Sequence, residues 1–521
     1  MRKSLALLLA AFLCVCATSA SAVDNVRAQR LAIAPQYDQL KQRAQNRQGV
    51  PVLVRFKIDR PDGRSLDERR NAGRMRLGNA MARQQIRAFT EYRRSSLSAF
   101  FVDDIELDIL IDSGLADAIW ESELRRPYLQ QSNVLIRTTA ARSFGLEGNG
   151  AVVVVLDTGI DADHPTFGNR VVWEACYSTN HSGYSATNLC PAGGSNDLTQ
   201  YFQSGMGAAA LTKCTDVPCW HGTHVASIAA GGNSTYNGIA PQADIIAIQV
   251  FSRFDDDTYC GTGKSPCVLS FDHDQLSALE YVAELAATYN IASINMSLGG
   301  GRSFSACDSS SGFVSAIDDL DSLAIIVAAS SGNDGYGDSM GHPACLSKIV
   351  SVGSVIDTTD MVSTFSNSAA FLDVLAPGQP ISAGYPGGGY ATASGTSMAA
   401  PHVAGALALL KGFNPTLTYA QMKSLLIATG TPVLDTRNGL TFPRLNLARL
   451  ALAVTGAIPG DANGDGNADV ADLLLLQRCL TGDITLPETA VLRSDLHPQQ
   501  DPDGQLDGSD LILLEHILQA E

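Results

Sequence analysis

Positive charge is scarce in this chain. Across 521 residues, 36 Lys and Arg stand against 53 Asp and Glu, a formal net charge of −17. A surface so acidic repels phosphate backbones, which argues against nucleic-acid binding. Long apolar runs are missing as well. After the first two dozen residues none approaches the ~20 needed to span a bilayer as a helix, so no membrane span is expected. Outside residues 1–22 there is no Cys-x-x-Cys pair, and a zinc ribbon has no support. Residues 23–131 contain no cysteine at all. Charged residues make up only 17% against 45% hydrophobic, which argues against a long disordered chain.

The first residues read as a secretory signal over 1–22. Arg2 and Lys3 give a positive start, Leu5 to Val15 an apolar core, and Ala20-Ser21-Ala22 a small-residue cleavage site. Export predicts a secreted, extracellular protein in an oxidising compartment, where disulfides persist. Eight cysteines lie between positions 176 and 345, and Cys479 stands alone. Eight cysteines allow 105 pairings. Proximity in sequence suggests Cys176–Cys190, Cys214–Cys219, Cys260–Cys267 and Cys307–Cys345.

Three segments follow the signal. Residues 23–131 are predicted as a small α+β unit, with a strand over 52–56, an Arg-rich helical stretch around 66–97, a strand near 99–102 and a helix near 106–121. Residues 132–457 alternate buried strand-like runs with helical ones. Val152 to Leu156, Ile245 to Val250 and Ala324 to Ala329 suit central parallel strands covered on both faces. Helices are expected near 221–231, 271–288 and 397–411. This alternation predicts a three-layer α/β domain with a mostly parallel sheet. Ile458-Pro459-Gly460 opens a short acidic module over 458–521. Within it Asp472-Leu-Leu-Leu-Leu matches Asp510-Leu-Ile-Leu-Leu at an offset of 38 residues.

Serine-based acyl transfer needs a nucleophile, a base to take its proton and a carboxylate to orient that base. Leu156-Asp157-Thr158-Gly159 places an acid at the carboxyl end of a buried strand, where open α/β sheets put their sites. His221-Gly222-Thr223-His224 puts a histidine at a helix start, and Gly395-Thr396-Ser397-Met398-Ala399 a serine at another. These segments, in the order Asp, His, Ser, resemble the signature segments of the subtilisin-like serine proteases (peptidase S8). The resemblance covers 132–457. It implies that Ser397 is the nucleophile of an endopeptidase, His221 its general base and then acid, and Asp157 the group that orients the imidazole. Ala328-Ala329-Ser330-Ser331-Gly332-Asn333 is similar to the family segment whose asparagine donates to the oxyanion, which assigns Asn333. Ser297-Leu298-Gly299-Gly300 resembles the edge segment that pairs with extended peptide or protein substrates. Gly341-His342-Pro343 resembles the floor of the primary pocket, where Gly341 would leave it deep.

Residues 50–131 resemble the family's inhibitory propeptide. On that reading the protein is a self-processing zymogen cut near Gln131, with Pro127 to Gln131 lying in the active site beforehand. The tail resembles a dockerin. Calcium loops carry oxygen ligands at positions 1, 3, 5, 7, 9 and 12, with Gly at 6. Asp461, Asn463, Asp465, Asn467 (through its backbone carbonyl), Asp469 and Asp472 fit, with Gly466 at the turn. In the irregular second copy Asp501, Asp503, Asp507 and Asp510 fit, and Asp495 could open that loop if it carries a four-residue insertion. A cohesin-type partner is implied, with the enzyme itself a monomer and needing no organic cofactor.

Two other readings compete. Gly337-Asp338-Ser339-Met340-Gly341 fits the GxSxG elbow of esterases, but an elbow must sit tightly between strand and helix. A catalytically silent calcium-binding protein is the other. His224, one turn from His221, is expected to pack rather than bind a metal, and Cys479 to be a small core residue.

Overall fold

The structure, a computed structural model, describes residues 29–46, 49–59, 64–86, 88–92, 95–122, 124–127, 135–233, 236–496 and 506–520. The expected signal, the expected cut near Gln131, and Asp501 and Asp503 lie outside the described residues.

The N-terminal unit is a four-stranded antiparallel sheet in the order Ala88–Glu91, Leu97–Val102, Val50–Phe56, Ala116–Glu121. One face packs its own helices through Val52, Val54, Phe100, Leu107 and Leu110. The other face, with Leu53, Tyr92, Leu97 and Ala99, joins the core that contains Phe313 and Ile317 of the next unit. Strand Val50–Phe56 is therefore buried on both faces except at Arg55.

Two helical expectations are corrected here. The helix begun by the Ser65 capping box ends at Ala82, and Gln85 at φ 65° turns the chain into strand Ala88–Glu91. The segment 106–121 divides as well. Helix Asp104–Asp112 stops at Ser113, Gly114 takes φ 68°, and Ala116–Glu121 becomes a strand paired with Val50–Phe56. In both stretches strand pairing overrides local helix preference, Ala88–Glu91 with Leu97–Val102 just after it and Ala116–Glu121 with the sequence-distant Val50–Phe56.

The second unit is built on a ten-stranded sheet. Its order is Thr431–Asp435, Leu440–Arg444, Val374–Gln379, Val350–Ile356, Ile326–Ser330, Ile291–Met296, Val152–Asp157, Asp244–Gln249, Val171–Asn180, Thr199–Ser204. The eight inner strands pair in parallel, and each edge strand is antiparallel to its neighbour. Helices Trp220–Ala230 and Thr396–Phe413 cover one face, with Ile228, Ala229, Val403 and Leu407 in the core. Helices Asp272–Leu285 and Val314–Ser322 cover the other through Leu276, Leu279 and Leu320. This is the predicted three-layer arrangement with a mostly parallel sheet. Four disulfides join Cys176–Cys190, Cys214–Cys219, Cys260–Cys267 and Cys307–Cys345.

A second sheet joins the two units. Strand Leu124–Pro127 lies between Leu298–Ser303 and Cys267–Phe271, antiparallel to both, with Pro127 opposite Leu298 and Arg125 opposite Ser270. Beside it, the N-terminal unit covers a buried polar cluster. Ser122 Oγ meets His273 Nδ1 at 2.7 Å, and Thr179 Oγ1 sits between His273 Nε2 at 2.8 Å and Asp274 Oδ1 at 3.0 Å. The rings of Phe89 and Phe101 stand edge-on to His273 and His181.

The C-terminal module consists of helices Val470–Leu480, Glu488–Ser494 and Gly508–Ala520 around Leu476, Leu496 and Leu514. Cys479 is half-buried and unpaired rather than a core residue. No described helix is long and apolar enough to cross a membrane.

Candidate active site

Asp157 ends the central strand Val152–Asp157 and is paired there with Gln249. The chain then turns under the helix that carries His221. Thr158 Oγ1 holds the two together, donating to Cys219 O at 2.9 Å and accepting from Gly222 N at 3.0 Å. Glycine at 222 is a steric requirement, since a Cβ there would lie 2.0 Å from Gly159 O. This close approach brings His221 Nδ1 to 2.7 Å from Asp157 Oδ1, with both side chains 1% exposed. Asp157 Oδ1 also accepts from Thr158 N at 2.7 Å. A carboxylate so placed fixes which imidazole nitrogen carries the proton and leaves the other for chemistry.

Ser397 is the second residue of helix Thr396–Phe413 and is fully buried. Its carbonyl would ordinarily accept from the N–H four residues on, but residue 401 is proline and has none. Ser297 Oγ takes that place at 2.6 Å, and Ser397 Oγ donates in return to Ser297 O at 3.0 Å. Asn295 Nδ2 supports Ser297 Oγ at 2.9 Å. Thus the start of the serine helix is locked to the end of strand Ile291–Met296.

Asn333 follows strand Ile326–Ser330. Its Oδ1 accepts from Thr396 N at 2.8 Å and Thr396 Oγ1 at 2.9 Å. A backbone N–H can only donate, so the amide orientation is determined, and Nδ2 is left to serve a ligand beside Ser397. Helix starts also present unpaired N–H groups. Neutral carbonyl oxygens that gain negative charge in a reaction are the natural ligand for such a pair.

Leu298 and Gly299 lie in the strand that pairs with Leu124–Pro127, and both are buried. Gly341 is paired into the same sheet from strand Met340–His342, and a Cβ on it would meet Gly300 O at 3.2 Å. At Gly299 a Cβ would come within 2.7 Å of His342 O. These two glycines let the strands approach each other closely. His224 is buried with Nε2 3.2 Å from Ala391 O, and burial beside His221 lowers its imidazole to about 3. Ser339 is buried, donates to Asp338 Oδ1 at 2.8 Å and accepts from Arg302 Nε at 2.9 Å. It lies in the stretch leading to strand Met340–His342, with no helix after it, so it is not an elbow serine.

In the tail, the first loop is knit by its own amides. Asp461 Oδ1 accepts from Gly464 N at 2.6 Å, Asp461 Oδ2 from Gly466 N at 3.1 Å, and Asp472 Oδ1 from Asn463 N at 2.9 Å. Asp465 accepts from Asn463 Nδ2 and Asn467 N, and Asp469 caps the following helix. In the second copy Asp510 Oδ2 accepts from Asp507 N at 2.9 Å, as Asp472 Oδ2 does from Asp469 N at 2.8 Å. Asp495 instead faces Arg137. Among the described residues no three His, Cys, Asp or Glu side chains are grouped to hold a metal ion.

Residues whose importance the sequence did not suggest are Thr158, Thr396 and Pro401. Each stands next to or within a recognised segment, and that adjacency was the available signal.

Residues 148–443 match the Subtilase family. The chain is 32% identical over 301 residues to subtilisin of Bacillus pumilus, covering 57% of this chain and 89% of that protein. It is 33% identical over 310 residues to the intracellular serine protease of Paenibacillus polymyxa, covering 57% and 79%. Against subtilisin E of Bacillus subtilis (strain 168) the identity is 32%, and the match spans 64% of that protein, less than two thirds of its length. A solved cold adapted subtilisin-like serine proteinase aligns at 28% identity with a TM-score of 0.40, over 58% of this chain and 89% of that one. The chain belongs to the subtilase family of serine proteases.

Proposed function

We propose that this protein is a secreted serine endopeptidase made as a self-processing zymogen. The observation that carries the reading is the buried Asp157–His221 hydrogen bond of 2.7 Å in a chain whose serine helix and Asn333 share one site. In this reading Ser397 Oγ attacks the scissile carbonyl as its proton passes to His221. Asn333 Nδ2 and the Ser397 N–H receive the oxyanion, and His221 then protonates the leaving amine. Water repeats the sequence to release the acyl group. Substrate lies extended against Leu298 and Gly299, as Leu124–Pro127 lies now, and Gly341 belongs to the pocket for the side chain before the cut. That occupancy supports residues 23–131 as an inhibitory propeptide. The test is casein hydrolysis by purified protein, wild type against Ser397→Ala, with calcium and with chelator. Activity confined to wild type is expected. An inactive, processed wild type would refute the reading.

We infer further that the module over 458–521 is dockerin-like and takes calcium. The donors are all oxygen, Asp461 and Asp472 are buried while residues 463–467 between them are exposed, and Gly466 takes φ 93° at the sixth position. Asp461, Asn463, Asp465, Asn467, Asp469 and Asp472 would hold the ion. Asp507 and Asp510 belong to the second loop with Asp501 and Asp503. Bound calcium neutralises the carboxylates and ties each loop to its helix. Calorimetric titration of the full chain with calcium is expected to lose one site in Asp461→Ala. A heatless titration of wild type would reject it. A cohesin-type protein is the partner this reading implies, in a calcium-dependent complex.

A further inference from the structure

The C-terminal module does not merely follow the catalytic unit in sequence. Its helix Glu488–Ser494 lies against helix Thr138–Ser143, and Leu492, 8% exposed, packs with Ala140 and Ala448 beside Phe144. One turn further, Asp495 Oδ2 is 3.2 Å from Arg137 Nη1, with the carboxylate side chain only 1% exposed. The intervening Arg493 reaches the other way, to the carbonyls of Asp461 and Ala462, and its own carbonyl accepts from Gly460 N at 2.6 Å. One short helix therefore ties the loop of the first repeat to the start of the catalytic unit.

The segment it holds has a special position. Ile136 is fully buried and its carbonyl accepts from Leu447 N at 3.0 Å, while Leu135 O accepts from Arg444 Nη1 at 3.1 Å. Arg137 has φ 57°, a left-handed conformation that a non-glycine residue keeps only when its surroundings hold it. The expected cut lies a few residues upstream, near Gln131. Before processing, residues 135–143 are internal chain, anchored at both ends. Afterwards they are a chain end, and chain ends fray and are cut first.

We propose that the C-terminal module is an intramolecular clamp on the new chain end, gripping Arg137 with Asp495 and seating Leu492 over Ala140. Its role is to keep the processed protease from unravelling and digesting itself from residue 135 onward. The part played at the chain end rests on the processing reading above; the grip itself does not.

The test is hydrogen–deuterium exchange on the full-length Ser397→Ala protein, so that the result does not depend on proteolysis. Asp495→Arg is expected to speed exchange over 138–143 about tenfold, because it sets like charges together at a buried position. Leu492→Ala is expected to act in the same direction by removing the apolar seat. The exchanged pair, Arg137→Asp with Asp495→Arg, is expected to restore protection, which a general disruption of the module would not allow. Unchanged exchange over 138–143 in both single variants would overturn the proposal. So would a double variant no better protected than Asp495→Arg alone. In the active protein, Asp495→Arg is expected to lose intact chain faster, with new N-termini inside 135–143, and new ends elsewhere would count against it.

Discussion

At the scale of single residues, the site depends on backbone contacts as much as on its reactive groups. On the proposed reading of Asn333 as an oxyanion donor, Asn333→Ala is expected to lower kcat by about 10²–10³ with KM little changed, the size of loss that removing one such donor causes. Steady-state kinetics on one peptide substrate checks it. Gly222→Ala is expected to cost about 3 kcal/mol or more, because the Cβ would meet backbone at 2.0 Å, and chemical denaturation reads this directly. The candidate residues Asp157, His221, Ser397 and Asn333 could be named from the sequence because each sits in a short segment with few alternatives, and the structure adds the Asp157–His221 and Asn333–Thr396 hydrogen bonds. Pro401 could not be named this way. Its contribution is a missing N–H, which acquires meaning only once Ser297, 104 positions earlier, is seen to replace it.

At the scale of elements, parallel strands and their helices were legible because each is a long run of one pattern. The N-terminal unit was less so, since Ala116–Glu121 becomes a strand by pairing with the distant Val50–Phe56, and Ala88–Glu91 by pairing with Leu97–Val102 inside a stretch read as one helix. The buried cluster between the units was invisible for the same reason, and it predicts a pH dependence. His181 is held near pKa about 4 by burial, with neither ring nitrogen partnered and the rings of Phe101 and Tyr184 against it. Burial also holds His273 well below the usual imidazole range. Asp274, facing His273, Thr179 and Gln200, is raised by burial to about 7. If the units part, the two imidazoles take up protons below about pH 6.5 while Asp274 releases one below 7. The histidine contribution is therefore full above about 6.5 and lost as pH falls toward 4, and the aspartate opposes it. Two groups outweigh one, so acid loosens the N-terminal unit. Exchange over 88–102 in Ser397→Ala protein, corrected for intrinsic rate, is expected to rise between pH 6.5 and 4.5. Asp274→Asn should steepen the rise, and a flat profile would contradict the account.

At the scale of the whole molecule, the four disulfides among the described residues all lie between positions 176 and 345. On loop-closure grounds the bridge spanning 38 residues stabilises by about 4 kcal/mol and the one spanning 5 by about 2. Cys307→Ser is thus expected to lower the unfolding midpoint more than Cys214→Ser. Equal losses would point to native-state packing instead.

The slot now filled by Leu124–Pro127 has a consequence for whatever else enters it. On the proposed reading a substrate enters it as Leu124–Pro127 does, by completing a sheet, and so needs a backbone whose own amides and carbonyls are not already spoken for. A well-folded protein offers few such stretches, and offers them for as long as it is locally open. On folded substrates the rate of hydrolysis would then report the target's breathing as well as the side chain offered to the pocket, making the enzyme a gauge of looseness in its neighbours.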